Sequence, residues 1–216
     1  MSGSPTSSAA RSEGTPFGSV SDNLRLFRGV WHDVITAHAP DGTPFEVDEF
    51  GGTPGPVPYE QLVYIDIEGD QYAQTNVVLR GRPPHQRSFG GRIVDGVLEF
   101  DRLGPEAPRM LGVSGGPGVL VFLPENVEGE HLQRFYDPDY IRHLGGEQRT
   151  RTTTLYRDGV LRRVLSVHGT RISHDPTRRV AIDPRGPEGP VHDGERITFV
   201  YADRATTTAP DQPEQP

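Results

Sequence analysis

Five two-residue turn signals, Asp41-Gly42, Gly69-Asp70, Asp95-Gly96, Asp158-Gly159 and Asp193-Gly194, cut the middle of this chain into stretches that mostly alternate between apolar and polar residues. Asp-Gly supplies the positive φ values that a tight hairpin turn demands. A chain punctuated in this way is committed to antiparallel neighbours. A long meander without covering helices closes into a barrel, which removes its exposed edges. The 26 glycines and 21 prolines among 216 residues, with 33% hydrophobic residues, favour short strands and turns in the same sense. The expected fold class is therefore all-β: an up-and-down antiparallel barrel of eight to ten strands with one or two short helices. The helix candidates are Ser21–Phe27, capped by Ser21, and Asp137–Leu144, with Asp137 as cap and Pro138 in the first turn. The polar ends, residues 1–20 and 205–216, cannot bury apolar surface and read as disordered tails around one domain spanning 21–204.

A net charge of −8 argues against nucleic acid as a partner, because a phosphate-neutralising surface is basic. With no cysteine, disulfides, thiolate catalysis and Cys-ligated metal centres are excluded. The first residues carry no apolar signal region, and no run reaches the ~18 apolar residues of a membrane helix. These features predict a cytoplasmic protein with no membrane insertion. Its partners are a small hydrophobic molecule and, in a homodimer, a second copy of the chain.

A two-residue loop fixes which residues face each other across a hairpin. Around Asp95-Gly96, Ile93 faces Leu98, Gly91 faces Phe100 and Phe89 faces Arg102, an apolar face that points to the core. Arg92 and Glu99 pair on the other face. Around Gly69-Asp70, Ile67 faces Tyr72, Ile65 faces Gln74 and Val63 faces Asn76, a mixed face that continues to Arg80. Neither side of that hairpin is plainly the core. A polar-lined cavity and a wall covered from outside both fit it. Around Asp158-Gly159, Tyr156 faces Leu161, Thr154 faces Arg163 and Thr152 faces Leu165. The opposite face then gathers Arg149, Arg151 and His168 at one end. That group is either a solvated outer wall or an anion site at a mouth.

The first strand opens with Gly29-Val30-Trp31, which holds the only tryptophan, and a late strand carries Arg171 in "HGTRIS". Together with "RTRTTTLYRDGVLRRVLSVHGTRI" (Arg149–Ile172), this resembles the calycin superfamily, and more narrowly the lipocalin-like bacterial proteins of unknown function related to phycobiliprotein lyases. The resemblance implies that Trp31 plugs the closed end, that Arg171 lies over its face in a cation–π contact, and that Gly29 lets the backbone pass close by. If Trp31 points inward, alternation sends His32 out and Asp33 in, so that adjacent pair is no catalytic dyad.

Other motifs fail on context. "LGVSGGPGVLVFLPE" lacks the Lys-Ser/Thr of a phosphate loop. Gly112-x-Ser114-x-Gly116 matches a nucleophile elbow in letters, but no helix follows it. The eight histidines show no metal spacing, so no metal and no cofactor are expected. Two functions remain open. One is a cofactor-independent cyclase, isomerase or lyase acting on a small hydrophobic, anionic metabolite. The other is a non-catalytic carrier or sensor. In the first, Tyr72 and His168 move protons while Gln74, Asn76, Arg80, Arg149 and Arg151 bind substrate, in a pocket at the end opposite Trp31.

Overall fold

The computed structural model describes residues 18–44, 59–80, 86–102, 109–125, 138–178, 180–183, 189–193 and 196–200. A helix α1 (Val20–Phe27) precedes ten barrel strands: β1 (Gly29–His38), β2 (Tyr59–Glu68), β3 (Gln71–Arg80), β4 (Gln86–Val94), β5 (Val97–Phe100), β6 (Met110–Gly116), β7 (Val119–Pro124), β8 (Asp139–Gly145), β9 (Gln148–Arg157) and β10 (Val160–Ser173). Each pairs antiparallel with its neighbour in sequence, and β1 pairs with β10 to close the barrel. Two compact units are distinguished, Met1–Pro176 and Thr177–Pro216. The barrel strands all lie in the first and end at Ser173. The second holds β11 (Val180–Asp183), β12 (Gly189–Asp193) and β13 (Arg196–Val200), a three-stranded sheet in the order β11-β13-β12.

The turn chemistry sets the register. Asp95 and Asp158 take φ of 49° and 53°, followed by Gly96 and Gly159 at 80° and 72°, the left-handed pair of a tight hairpin. The expected pairs Ile93–Leu98, Gly91–Phe100, Ile67–Tyr72, Ile65–Gln74 and Val63–Asn76 all form. Phe89 and Arg102 do not pair, because β5 stops at Phe100. Glu99 stands opposite Arg92, yet its ion pair, at 2.8 Å, is with Arg109.

Two local expectations need correction. Ser21 is not the helix cap. Ser19 is, because Asp22 at the third helical position completes a capping box with it. Val20, Leu24 and Phe27 then share one buried face. The second helix is also wrong. Asp139–Gly145 is strand β8, and Asp137 lies outside the described residues. Asp139, Ile141 and His143 share the inward face, opposite Thr153, Arg151 and Arg149. Pairing on both edges with β7 and β9 outweighs a short helical pattern.

Helix α1 lies across the end of the barrel where the turns are shortest: residues 69–70, 95–96, 117–118 and 146–147. The longer connections, 39–58, 81–85, 101–109 and 125–138, all fall at the other end. Asn23, 1% exposed, pins the helix there. Its Nδ2 lies 2.9 Å from Ser114 Oγ, Gly116 O and Val119 O, and its Oδ1 accepts from Gly118 N at 2.8 Å. Ser114 Oγ in turn donates to Gly18 O at 2.7 Å, so the apparent elbow serine fastens the helix entrance. Asn23→Leu is expected to strand these buried backbone groups and cost about 2–4 kcal/mol, a fall in Tm of roughly 4–16 °C by thermal denaturation.

Candidate functional site in the barrel interior

Trp31 is fully buried, and its Nε1 donates to Phe27 O at 2.7 Å, which ties the first strand to the helix. Arg171 lies over the ring, its Cζ 4.5 Å from the centroid, where the resemblance placed it. Arg171 also donates from Nη2 to Leu26 O at the end of α1. Gly29, at φ +126°, passes so close to Ser173 O that a methyl group there would overlap it. A second guanidinium, that of Arg149, also stands 4.5 Å from the Trp31 ring centroid. His143 meets the same ring edge-on at 6.1 Å.

Arg149 is inside because β9 and β10 are out of simple register. The hairpin starts as expected with Tyr156 opposite Leu161, but a bulge between Leu161 and Arg163 shifts every later pair by one. Arg163 then faces Leu155, Leu165 faces Thr153, Val167 faces Arg151 and Gly169 faces Arg149. A one-residue shift moves a strand's whole side-chain set relative to its partner. The expected cluster of Arg149, Arg151 and His168 is thereby split. The two arginines point into the barrel, and His168 is exposed on the outside, opposite Thr150 and Val34. His168 therefore cannot share a proton with Tyr72.

Asp33 points inward as alternation required, and His32 points outward, where its Nε2 lies 2.7 Å from Glu60 Oε2. Asp33, Gly169 and Arg149 form one row across β1, β10 and β9. Gly169 leaves the space for the outer two to meet over it, since a methyl there would overlap both. Arg149 Nη2 reaches both Asp33 oxygens at 2.8 Å and Nε adds a contact at 3.2 Å, with Gln61 Nε2 3.4 Å from Oδ2. This pair is buried at 4% and 0% side-chain exposure, so each charge depends on the other. Arg151 Nη2 donates to Asp139 Oδ2 at 2.6 Å, and Thr153 donates to the other oxygen of that carboxylate.

Tyr72, Gln74 and Asn76 project inward from alternate positions of β3, which settles the face of that hairpin. Their side chains form a directed ladder: Tyr72 Oη donates to Gln74 Oε1, and Gln74 Nε2 donates to Asn76 Oδ1 at 2.8 Å. Burial pushes the Tyr72 phenol well above its ordinary pKa, against the opposing pull of Arg149 and Arg151. The hydroxyl stays protonated. The side chain of Arg80 lies outside the described set.

Tyr72, Gln74, Arg149 and Arg151 line one cavity with Leu24, Phe27 and five further apolar side chains. The cavity lies against α1 and the Trp31 floor, not at the far end as expected. Its open volume is about 10 Å³, room for about one water molecule. Above it Asn76, Phe89, Phe100 and Met110 face inward by register yet are only half-buried, so the lumen is less filled toward the long connections. Among the described residues no group of three His, Asp or Glu side chains could hold a metal ion, and no helix is long and apolar enough to cross a membrane.

Asp33, Asp139, Gly169 and His143 were not marked as site residues in the sequence. Alternation from Trp31 gives the inward direction of Asp33. Gly169 becomes visible only once the bulge sets the β9–β10 register, and Asp139 and His143 only once 139–145 is a strand beside β9.

A crystal structure of a protein of unknown function from the DUF3598 family of Nostoc punctiforme resembles this chain, with a TM-score of 0.53 and 16% identity. The likeness is one of fold. It covers 69% of this chain and 49% of that one, so the chain spans about half the length of its structural neighbour. No protein-family model and no curated protein matches the sequence.

Two outcomes follow from the floor. Trp31→Ala is expected to cost ~3–5 kcal/mol in denaturant unfolding and to be non-additive with Arg171→Ala, since both act on one contact. Burial, and then Arg171 with its Nη2 3.2 Å from Nε2, holds the His143 pKa below the ordinary 6.5, with Arg149 adding to the effect and Glu147 opposing it. A depressed histidine leaves the unfolded chain binding more protons, so its contribution to stability falls as pH drops below 6.5. Between pH 7.5 and 5.5 the wild-type Tm is expected to fall further than that of His143→Gln.

Proposed function

We propose that this is a calycin-like barrel that binds a small, mostly apolar molecule in its lumen, as a carrier or sensor. The observation that carries this reading is the inward β3 ladder, which leads from the packed, polar-lined floor to the half-filled level of Asn76, Phe89, Phe100 and Met110. A plain barrel core has no need of so many polar side chains. A ligand pocket uses a few convergent ones to orient an apolar body. The Trp31–Arg171 floor, in the positions the resemblance implies, supports the calycin assignment.

The geometry favours binding over catalysis. The acid–base pair expected for an enzyme is divided by the barrel wall, with Tyr72 inside and His168 in solvent. Tyr72 is held neutral and hydrogen-bonded to Gln74, which suits a fixed wall group better than a proton shuttle. The packed floor admits little more than water, so the ligand occupies the level of Asn76, Phe89, Phe100 and Met110.

Native mass spectrometry of protein purified from its own host is expected to show a one-to-one adduct. N-Phenyl-1-naphthylamine, a neutral fluorescent probe, is expected to bind the emptied barrel with a blue shift. Asn76→Phe, which fills the lumen, is expected to weaken the probe by at least about tenfold while Tm stays within a few degrees. Absence of both adduct and probe binding would overturn the reading. Probe binding indifferent to Asn76→Phe would place the site elsewhere.

A further inference from the structure

We infer that the lumen selects an uncharged hydrophobic molecule bearing a hydrogen-bond acceptor, such as a ketone, ester or lactone, over an anion of the same size; this rests on the reading of the lumen as the ligand site. Two arginines beside an apolar cavity invite the opposite conclusion, and the sequence points to an anionic metabolite. Their partners decide otherwise. Arg149 already holds both oxygens of Asp33, and Arg151 already holds Asp139, whose second oxygen takes the Thr153 hydroxyl. Each cation lining the cavity is thus matched by an inward carboxylate from the wall itself.

A ligand carboxylate entering the lumen beside these pairs would be a third negative charge in a region of low dielectric, or would have to expel Asp139 from Arg151. Either route leaves a buried or half-buried charge uncompensated, which is among the costliest arrangements in a protein interior. A carbonyl oxygen adds no charge and needs one donor. The β3 ladder offers it. The hydrogen bonds run in one direction, from Tyr72 through Gln74 to the Asn76 carbonyl, which leaves the Asn76 amide N–H groups as its donor end, at a half-buried position in the lumen. Tyr72 stands at the other end of the ladder, as its first donor. The two pairs therefore neutralise the arginines that line the cavity, and the ladder presents the donor.

The test uses 2-acetylnaphthalene and 2-naphthoate, which share a ring system and differ as ketone and carboxylate, in calorimetric titrations at pH 7.5. The ketone is expected to bind at least about tenfold more tightly to the wild-type protein. Asp139→Asn removes the competing carboxylate and leaves the Arg151 charge in excess. It is expected to tighten naphthoate by about tenfold and to change the ketone by less than threefold. Equal or tighter binding of naphthoate to the wild type overturns the inference while leaving the lumen a ligand site. Binding of neither compound overturns the ligand-site reading and the inference with it. An Asp139→Asn protein that folds but treats naphthoate as the wild type does removes Asp139 as the source of the selection. The wild-type comparison needs no variant and decides the preference by itself.

Discussion

The Trp31 ring is the contact on which the closed end of this barrel depends. Its N–H holds the last turn of α1, and two guanidiniums stand 4.5 Å from its centroid. Through them it joins β1, β9, β10 and the helix in one cluster. Each cation–π contact is worth ~0.5–2 kcal/mol, but burying the Arg149 charge would cost more than that without Asp33. Asp33 in turn reaches Arg149 only because residue 169 between them has no side chain. Tryptophan, arginine, aspartate and glycine at this end are parts of a single arrangement. It packs the floor and leaves the far half of the lumen less filled.

The bulge at Leu161/Arg163 matters as much as any side chain. With ideal pairing from the Asp158-Gly159 turn, the inward set of β10 would face Thr150, Thr152 and Thr154, and both arginines would lie outside with His168. One extra residue exchanges the threonines for the arginines. The sequence showed the turn and the alternation on each strand, so the barrel, its meander order and the β2–β3 and β4–β5 registers could be read. A bulge leaves no comparable mark in sequence. It is paid for by the packing of Arg149 against Trp31 and Asp33, contacts between residues more than a hundred positions apart.

The same distinction runs through the rest of the chain. Ser19 and Asp22 sit three apart and form a legible cap, although Ser21 is the more obvious choice beside the apolar run. The stretch 139–145 carries a weak helical pattern, and two strand partners override it. Trp31 and Arg171 face each other across β1 and β10, and their roles could be inferred from resemblance. Asn23 could not, because its partners are hairpin carbonyls near positions 116–119 that only the closed barrel brings to the helix. Local chemistry was legible, and long-range pairing that depends on an irregularity was not.

Because the chain contains no cysteine, a single introduced cysteine reports on one position alone, and maleimide labelling of Thr152→Cys and Thr153→Cys tests the inward-facing arginines directly. Thr152 is exposed and Thr153 is 2% exposed, on the same face of β9 as Arg149 and Arg151. Rapid labelling at 152 with protection at 153, in folded protein of normal Tm, is the expected result. Protection at 152 with rapid labelling at 153 would put both arginines in solvent and contradict the bulge, and with it the proposed ligand site.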